Sequence, residues 1–77
     1  MQKSQITDIQ SVLLERVHFP SIHDAINEIQ KLGFETVHGI DMTKNFWRFR
    51  QRKPDNTKKK RIKEVSPGIK FILEYPK

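Results

Sequence analysis

The residues best suited to chemistry lie in one short segment rich in arginine and aromatic side chains. It reads FWRFRQRK over residues 46–53. Side chains alternate between the two faces of a β-strand, and one face would carry Phe46, Arg48, Arg50 and Arg52. Guanidinium groups bind phosphate through two donors at once, and both they and aromatic rings stack on bases. The pattern therefore indicates a nucleic-acid-binding surface. The alternative is a solvated face whose arginines pair with acids such as Glu64 or Glu74.

The positive charge of the chain is concentrated around that segment. Residues 44–63 carry ten Lys or Arg side chains against Asp55 alone, a net charge of +9, whereas the other residues together carry −3. Such a field attracts polyanions to one side of a protein through salt-sensitive phosphate contacts that are independent of sequence. The candidate nucleic-acid-binding residues are Lys44, Phe46, Arg48, Arg50, Arg52, Lys53, Lys58, Lys59, Lys60, Arg61 and Lys63. The alternative without a binding function is a solvated loop that keeps the protein soluble.

The sequence offers little for catalysis. His18, His23 and His38 are scattered and have no nearby acid at a metal-ligand spacing, and cysteine is absent. The three glycines form no phosphate-binding loop, and no hydrolase-like motif surrounds a serine. We therefore expect a protein that is not an enzyme and that uses neither a metal nor a cofactor.

One helix is clearly marked. Ser21 followed by Asp24 matches a capping box. Apolar residues then recur at three- and four-residue spacing at Ile22, Ala25, Ile26, Ile29 and Leu32. Gly33 stands where a left-handed C-terminal cap is required, and Phe34 can fold back on Ile29 or Gln30. The spacing predicts an amphipathic helix over residues 22–32.

The rest of the chain reads as strands. Strands are predicted over residues 12–19, 35–40, 46–53, 61–65 and 69–75, with a loop at 54–60 and a flexible arm at 1–10. Ile6, Ile9 and Leu13 allow a helical alternative near the start. Trp47 and Phe49 should face the helix as core residues. These elements predict a single α+β domain over residues 11–77, with one helix packed on a small antiparallel sheet in the order β-α-β-β-β(-β) and the other sheet face exposed.

Size and composition limit the alternatives. Seventy-seven residues allow one small core, which leaves no room for an enclosed substrate cleft. No apolar run approaches the roughly 18 residues of a membrane span, and the first ten residues lack the apolar stretch of a signal peptide. We therefore expect a soluble intracellular protein with no membrane partner.

Four parts of the sequence together resemble a known viral domain. They are AINEIQKLGF at residues 25–34, NFWRFRQRKP at 45–54, RIK at 61–63 and GIKFIL at 68–73. Over roughly residues 12–75 the chain is similar to a small domain in proteins of tailed bacteriophages and large DNA viruses. In phages it resembles the N-terminal region of proteins described as prohead proteases, ahead of their catalytic part. The resemblance implies a small viral module in an infected cell or virion, and it supports no catalytic assignment.

Together these observations predict a viral nucleic-acid-binding protein, with DNA favoured over RNA as the partner. The alternative is a protein-interaction module in virion assembly or host targeting, whose basic face meets an acidic protein surface. An exposed strand edge could also join two copies of the chain into a homodimer. The lysine run before Arg61 further resembles a nuclear import signal, which fits a nuclear location.

Overall fold

The computed structural model describes residues 8–53 and 57–75. The elements follow in the order β1 (Asp8–Glu15), α1 (Ile22–Lys31), β2 (Ile40–Met42), β3 (Phe46–Arg50), β4 (Lys59–Ser66) and β5 (Ile69–Tyr75). The strands form one five-stranded sheet in the order β2-β3-β1-β5-β4, and every neighbouring pair is antiparallel. The predicted α+β class and the order β-α-β-β-β-β are therefore confirmed.

Helix α1 forms where the local signals place it. The Asp24 backbone N–H donates to Ser21 Oγ at 3.2 Å, which satisfies one of the amide groups at the start of the helix. Gly33 adopts a φ of +85° and donates to the Gln30 carbonyl, while Phe34 N–H donates to the Ile29 carbonyl. These two bonds make a Schellman ending. The predicted helix is thus confirmed, with its last residue at Lys31.

The core lies between α1 and one face of the sheet. It consists of Val12, Leu14, Ala25, Ile29, Phe49 and Ile69. Trp47 packs against this cluster, and its indole Nε1 donates to the Phe19 carbonyl oxygen at 2.7 Å. The prediction that Trp47 and Phe49 face the helix is confirmed. The Phe34 ring packs against this cluster, which includes Ile29, and meets Phe71 edge-on, with 5.4 Å between centroids.

The start of the sheet differs from the prediction. β1 begins at Asp8 and ends at Glu15, so residues 8–10 belong to the central strand and not to an arm. Residues 16–18 form a turn. Residues 8–10 belong to the strand because β5 pairs with β1 there, as Glu74 does with Asp8. Pairing between distant segments leaves no pattern in the local sequence. Residues 1–7 of the predicted arm lie outside the described residues.

Three other boundaries also shift. β2 covers Ile40–Met42, and residues 35–39, the predicted body of this strand, are irregular. β3 ends at Arg50, three residues before the predicted end at residue 53. β4 begins at Lys59, inside the predicted loop. The lysines are compatible with a strand here because β4 is an edge strand whose eight residues are all exposed.

Candidate nucleic-acid interface

The β3 side chains divide between two faces as the alternation predicts. Phe49 enters the core, so Phe46, Arg48 and Arg50 lie on the sheet face that points away from α1, here called the outer face. This face is less exposed than expected. Ser11 and Glu74 are fully buried, and Leu13 is 7% exposed. The prediction of an open outer face is wrong for its centre, where neighbouring side chains cover β1 and β5.

The two β3 arginines are held by hydrogen bonds. Arg48 Nε donates to Ser11 Oγ at 3.4 Å. Arg50 makes a closer pair with Asp41 on β2, since Nε and Nη2 lie 3.0 and 2.9 Å from Asp41 Oδ2. Both members of this pair are nearly half exposed, so its contribution to stability is small. Its main effect is to fix the direction of the Arg50 guanidinium.

The chain leaving β3 is anchored on a bulge in β1. The pairing register between β1 and β5 shifts between Ile9 and Ser11, which makes Gln10 the extra residue. The Gln10 carbonyl accepts the N–H groups of Gln51 and Arg52, and Gln10 Nε2 donates to the Arg52 carbonyl at 2.9 Å. Gln10 is almost completely buried. Hydrogen bonds to the buried Gln10 therefore hold the backbone that carries Arg52 in place.

A second clamp brings the loop after α1 to the same place. The Gln51 side chain accepts a hydrogen bond from the Glu35 N–H at 3.1 Å and donates to the Glu35 carbonyl at 2.9 Å. The Arg50 N–H donates to the Gly39 carbonyl. As a result His38, which lies between these two anchor points in sequence, stands beside the end of β3.

Glu74 joins the two basic parts of the chain. One of its oxygens, Oε1, lies 3.8 Å from Arg52 Nε, and the other, Oε2, lies 3.5 Å from Lys60 Nζ. The Glu74 side chain is fully buried, whereas both cations are partly exposed. A single carboxylate therefore reduces the repulsion between a cation at the end of β3 and one at the start of β4. We call this region, containing Arg52, Lys53, Lys58, Lys59 and Lys60, the basic end of the sheet.

The cations of β4 are divided between two faces. Lys60, Ile62 and Glu64 pair in register with outer-face residues of β5, while Lys59, Arg61 and Lys63 pair with residues of the other face. The Arg61 guanidinium lies 5.9 Å from the centroid of the Tyr75 ring. The sequence-predicted site is therefore not one continuous surface. Arg61 and Lys63 extend from the basic end along the edge on the α1 side.

Two predicted residues lie away from the basic end. Lys44 occupies the turn between β2 and β3, where its carbonyl accepts a hydrogen bond from Arg16 Nη1. Phe46 is next to that turn, and Lys70 Nζ lies 5.3 Å from its ring centroid. The five residues of β3 separate this turn from Arg52 by roughly 17 Å. Lys44 and Phe46 therefore form a separate, smaller basic and aromatic group.

Sequence reasoning misses the residues that organise the site. It places Gln10 in the arm, leaves Asp41 between two predicted strands, and counts His38 as one of three scattered histidines. Glu74 enters it only as one of several acids that could pair with the arginines. The alternating pattern of β5 could have placed Glu74 on the same face as Arg48 and Arg50, whereas the role of Gln10 depends on the register of a bulge.

Comparison of the chain with protein-family models, with curated proteins and with solved structures finds no match. Within residues 8–53 and 57–75, no helix is long and apolar enough to cross a membrane. In the same described parts, no three His, Asp or Glu side chains are grouped so that they could hold a metal ion. The function is therefore inferred from the geometry and charge of the site.

Proposed function

We propose that this protein binds nucleic acid, DNA in the first place, mainly through its phosphates and without a strong sequence preference. The observation that carries the proposal is the basic end of the sheet, where the side chains of Arg52, just after β3, and Lys60, on β4, both approach the Glu74 carboxylate. The buried Gln10 fixes the backbone at Arg52, so that this cation has a defined place. Fixed guanidinium groups suit phosphate better than a mobile tail does.

The width of the sheet supports contacts with more than one phosphate. β3 and β4 are separated by β1 and β5, so the two basic strands lie about 14 Å apart. Along one DNA strand, phosphates follow each other every 3.4 Å or so of helix axis. Arg48 and Arg50 on β3 and Lys60 on β4 are therefore far enough apart to contact different phosphates.

The test is direct binding of the full chain to labelled duplex and single-stranded oligonucleotides of unrelated sequence, measured over a range of salt. If about four to six phosphates are contacted, log affinity on duplex DNA should fall against log salt with a slope of roughly −4 to −5. Different sequences should bind alike. Absence of binding at low salt, or an affinity that does not respond to salt, would contradict the proposal.

A protein-interaction module is the second candidate, and the edge strand β4 favours it. All eight residues of β4 are exposed, among them the apolar Ile62 and Val65. Such an edge can accept a strand from another chain, and its lysines suit an acidic one. Self-association of the chain at micromolar concentration, or binding to an acidic strand peptide with no binding to DNA, would support this function over the first.

A further inference from the structure

A shallow pocket lies beside the end of β3, between the basic end of the sheet and the loop that follows α1. Its volume is about 270 Å³, and among the described residues it is lined by His38, Arg50, Arg52 and Lys53. Each of these four residues carries, or can carry, a positive charge. This concentration of cationic side chains around one concavity is typical of a site for an anion.

Residues that do not line the pocket hold parts of its lining in place through hydrogen bonds. Asp41 binds Nε and Nη2 of Arg50 through a single oxygen, and the third nitrogen, Nη1, makes no hydrogen bond within the described residues. His38 Nε2 lies 2.7 Å from Glu35 Oε1, which fixes the imidazole ring. Gln10 holds the backbone of Arg52. The Arg50 and His38 side chains and the Arg52 backbone are thus positioned before any ligand binds, which reduces the conformational entropy lost on binding.

We propose that this pocket binds a phosphate monoester, and that its source is the phosphorylated end of a nucleic acid. The inference rests on the proposed function and adds a preference for chain ends to it. A monoester dianion carries more charge than the diester inside the chain and presents three terminal oxygens to the cations. The pocket is smaller than the roughly 300–1,000 Å³ of sites that enclose a drug-sized ligand, and a terminal phosphate group fits within it. The preference for a chain end rests on the extra charge of the monoester.

Three acids near the pocket set the size of the expected effect. Asp41 and Glu74 each pair with one lining arginine, and Glu35 pairs with His38, so together they reduce the net positive charge. Lys53 is exposed and adds a mobile charge at the pocket rim. We expect a phosphorylated end to bind about tenfold more tightly than a hydroxyl end, as befits one additional charge-assisted contact.

The experiment compares one oligonucleotide in three forms, with a 5′-phosphate, a 3′-phosphate or hydroxyl groups at both ends. Fluorescence anisotropy with the full chain should show about tenfold tighter binding of one phosphorylated form. Lys53→Ala and His38→Ala should each remove most of that difference. The matched controls Lys31→Ala and His23→Ala, both on the exposed surface of α1, remove the same residue types elsewhere and should retain it. Circular-dichroism melts establish that all four variants fold.

The outcomes separate this inference from the proposed function. Equal affinity for all three forms, with salt-dependent binding retained, would overturn the pocket assignment alone. A preference that persists in Lys53→Ala and His38→Ala would place the phosphate elsewhere and overturn it too. If no oligonucleotide binds while inorganic phosphate shifts the NMR signals of His38 and Lys53, the pocket is confirmed as a phosphate site. The nucleic-acid source and the proposed function are then both wrong.

Discussion

Gln10 Nε2 donates a hydrogen bond to the carbonyl oxygen of Arg52 at 2.9 Å, across 42 positions of sequence. The same glutamine accepts two backbone N–H groups of the chain that leaves β3. A bulge in the central strand thus determines where the basic end of the sheet begins. The neutral, buried side chain of Gln10 positions a surface cation without contacting a ligand.

Replacing Gln10 by alanine should weaken both stability and DNA binding. The change leaves the Arg52 carbonyl without its buried donor, which costs about 1–3 kcal/mol of unfolding free energy. It also releases the backbone under Arg52 and Lys53, so affinity should fall several-fold. Thermal melts and oligonucleotide anisotropy measure the two effects. Gln30→Ala, on the exposed side of α1, is the matched control. Wild-type behaviour of Gln10→Ala would contradict the anchoring role.

The core assignment predicts a large effect at Ile29. This side chain is fully buried between α1 and the sheet, so Ile29→Ala should lower the free energy of unfolding by about 2–5 kcal/mol. Phe71→Ala should also destabilise, since its ring packs against the core and meets Phe34. Ile62→Ala makes a comparable truncation on an exposed side chain and should change stability by less than about 0.5 kcal/mol. Chemical denaturation followed by circular dichroism decides between these expectations.

Neutralising Glu74 should separate the two basic parts of the site. Glu74→Gln keeps the shape but removes the charge that holds Arg52 and Lys60 together. Because both cations are partly exposed, we expect a loss of about 1–3 kcal/mol, less than for a fully buried pair. The control is Glu64→Gln on the exposed β4, which should be nearly silent. Equal melting temperatures for the two variants would show that Glu74 does not organise the basic end.

The arginines and lysines should contribute to binding in different ways. Arg48→Lys and Arg50→Lys keep the charge but lose the planar fork, so each should weaken binding several-fold. Replacing Lys58, Lys59 and Lys60 together by alanine should reduce the salt slope by up to about one unit for each phosphate that the variant no longer binds. Lys31→Ala, on the exposed helix surface, is a control for charge alone.

The order of these effects is the test. Per residue, the β3 arginines should contribute more to affinity than Lys58, Lys59 and Lys60. If both Arg→Lys changes are silent while the triple lysine change abolishes binding, the outer face of β3 is not a recognition surface.

A glycine at the β4–β5 turn should resist substitution. Gly68 has a φ of +83°, and a Cβ there would lie 2.8 Å from the His18 ring. Gly68→Ala should therefore destabilise by about 1–3 kcal/mol through backbone strain and crowding. Gly33→Ala has a similar φ but nothing within 4 Å, so it measures the strain alone. Adding His18→Ala to Gly68→Ala should raise the melting temperature toward that of Gly33→Ala. If the melting temperature does not rise, His18 does not crowd this position.

Local features of the sequence determined the parts of this fold whose signals lie within a few residues. The helix follows from Ser21 at its start, apolar residues at 3.6-residue spacing, and Gly33 at its end. The two faces of β3 follow from strict alternation, which places Phe49 in the core and Arg50 outside it. Such signals survive because each depends on backbone geometry and neighbours in sequence, not on the rest of the molecule.

The tertiary structure alone decided how the functional residues meet. Strand order and register depend on the summed pairing of distant segments, and a bulge shifts that register by one residue. No local pattern therefore marked Gln10 as an anchor, or showed that Arg52 and Lys60 would share the Glu74 carboxylate. His38 joins the basic pocket because Gln51 clamps Glu35, 16 residues away in sequence, and the Arg50 N–H donates to the Gly39 carbonyl. Composition determined the sign of the charge, and the pairing of strands decided where that charge is concentrated.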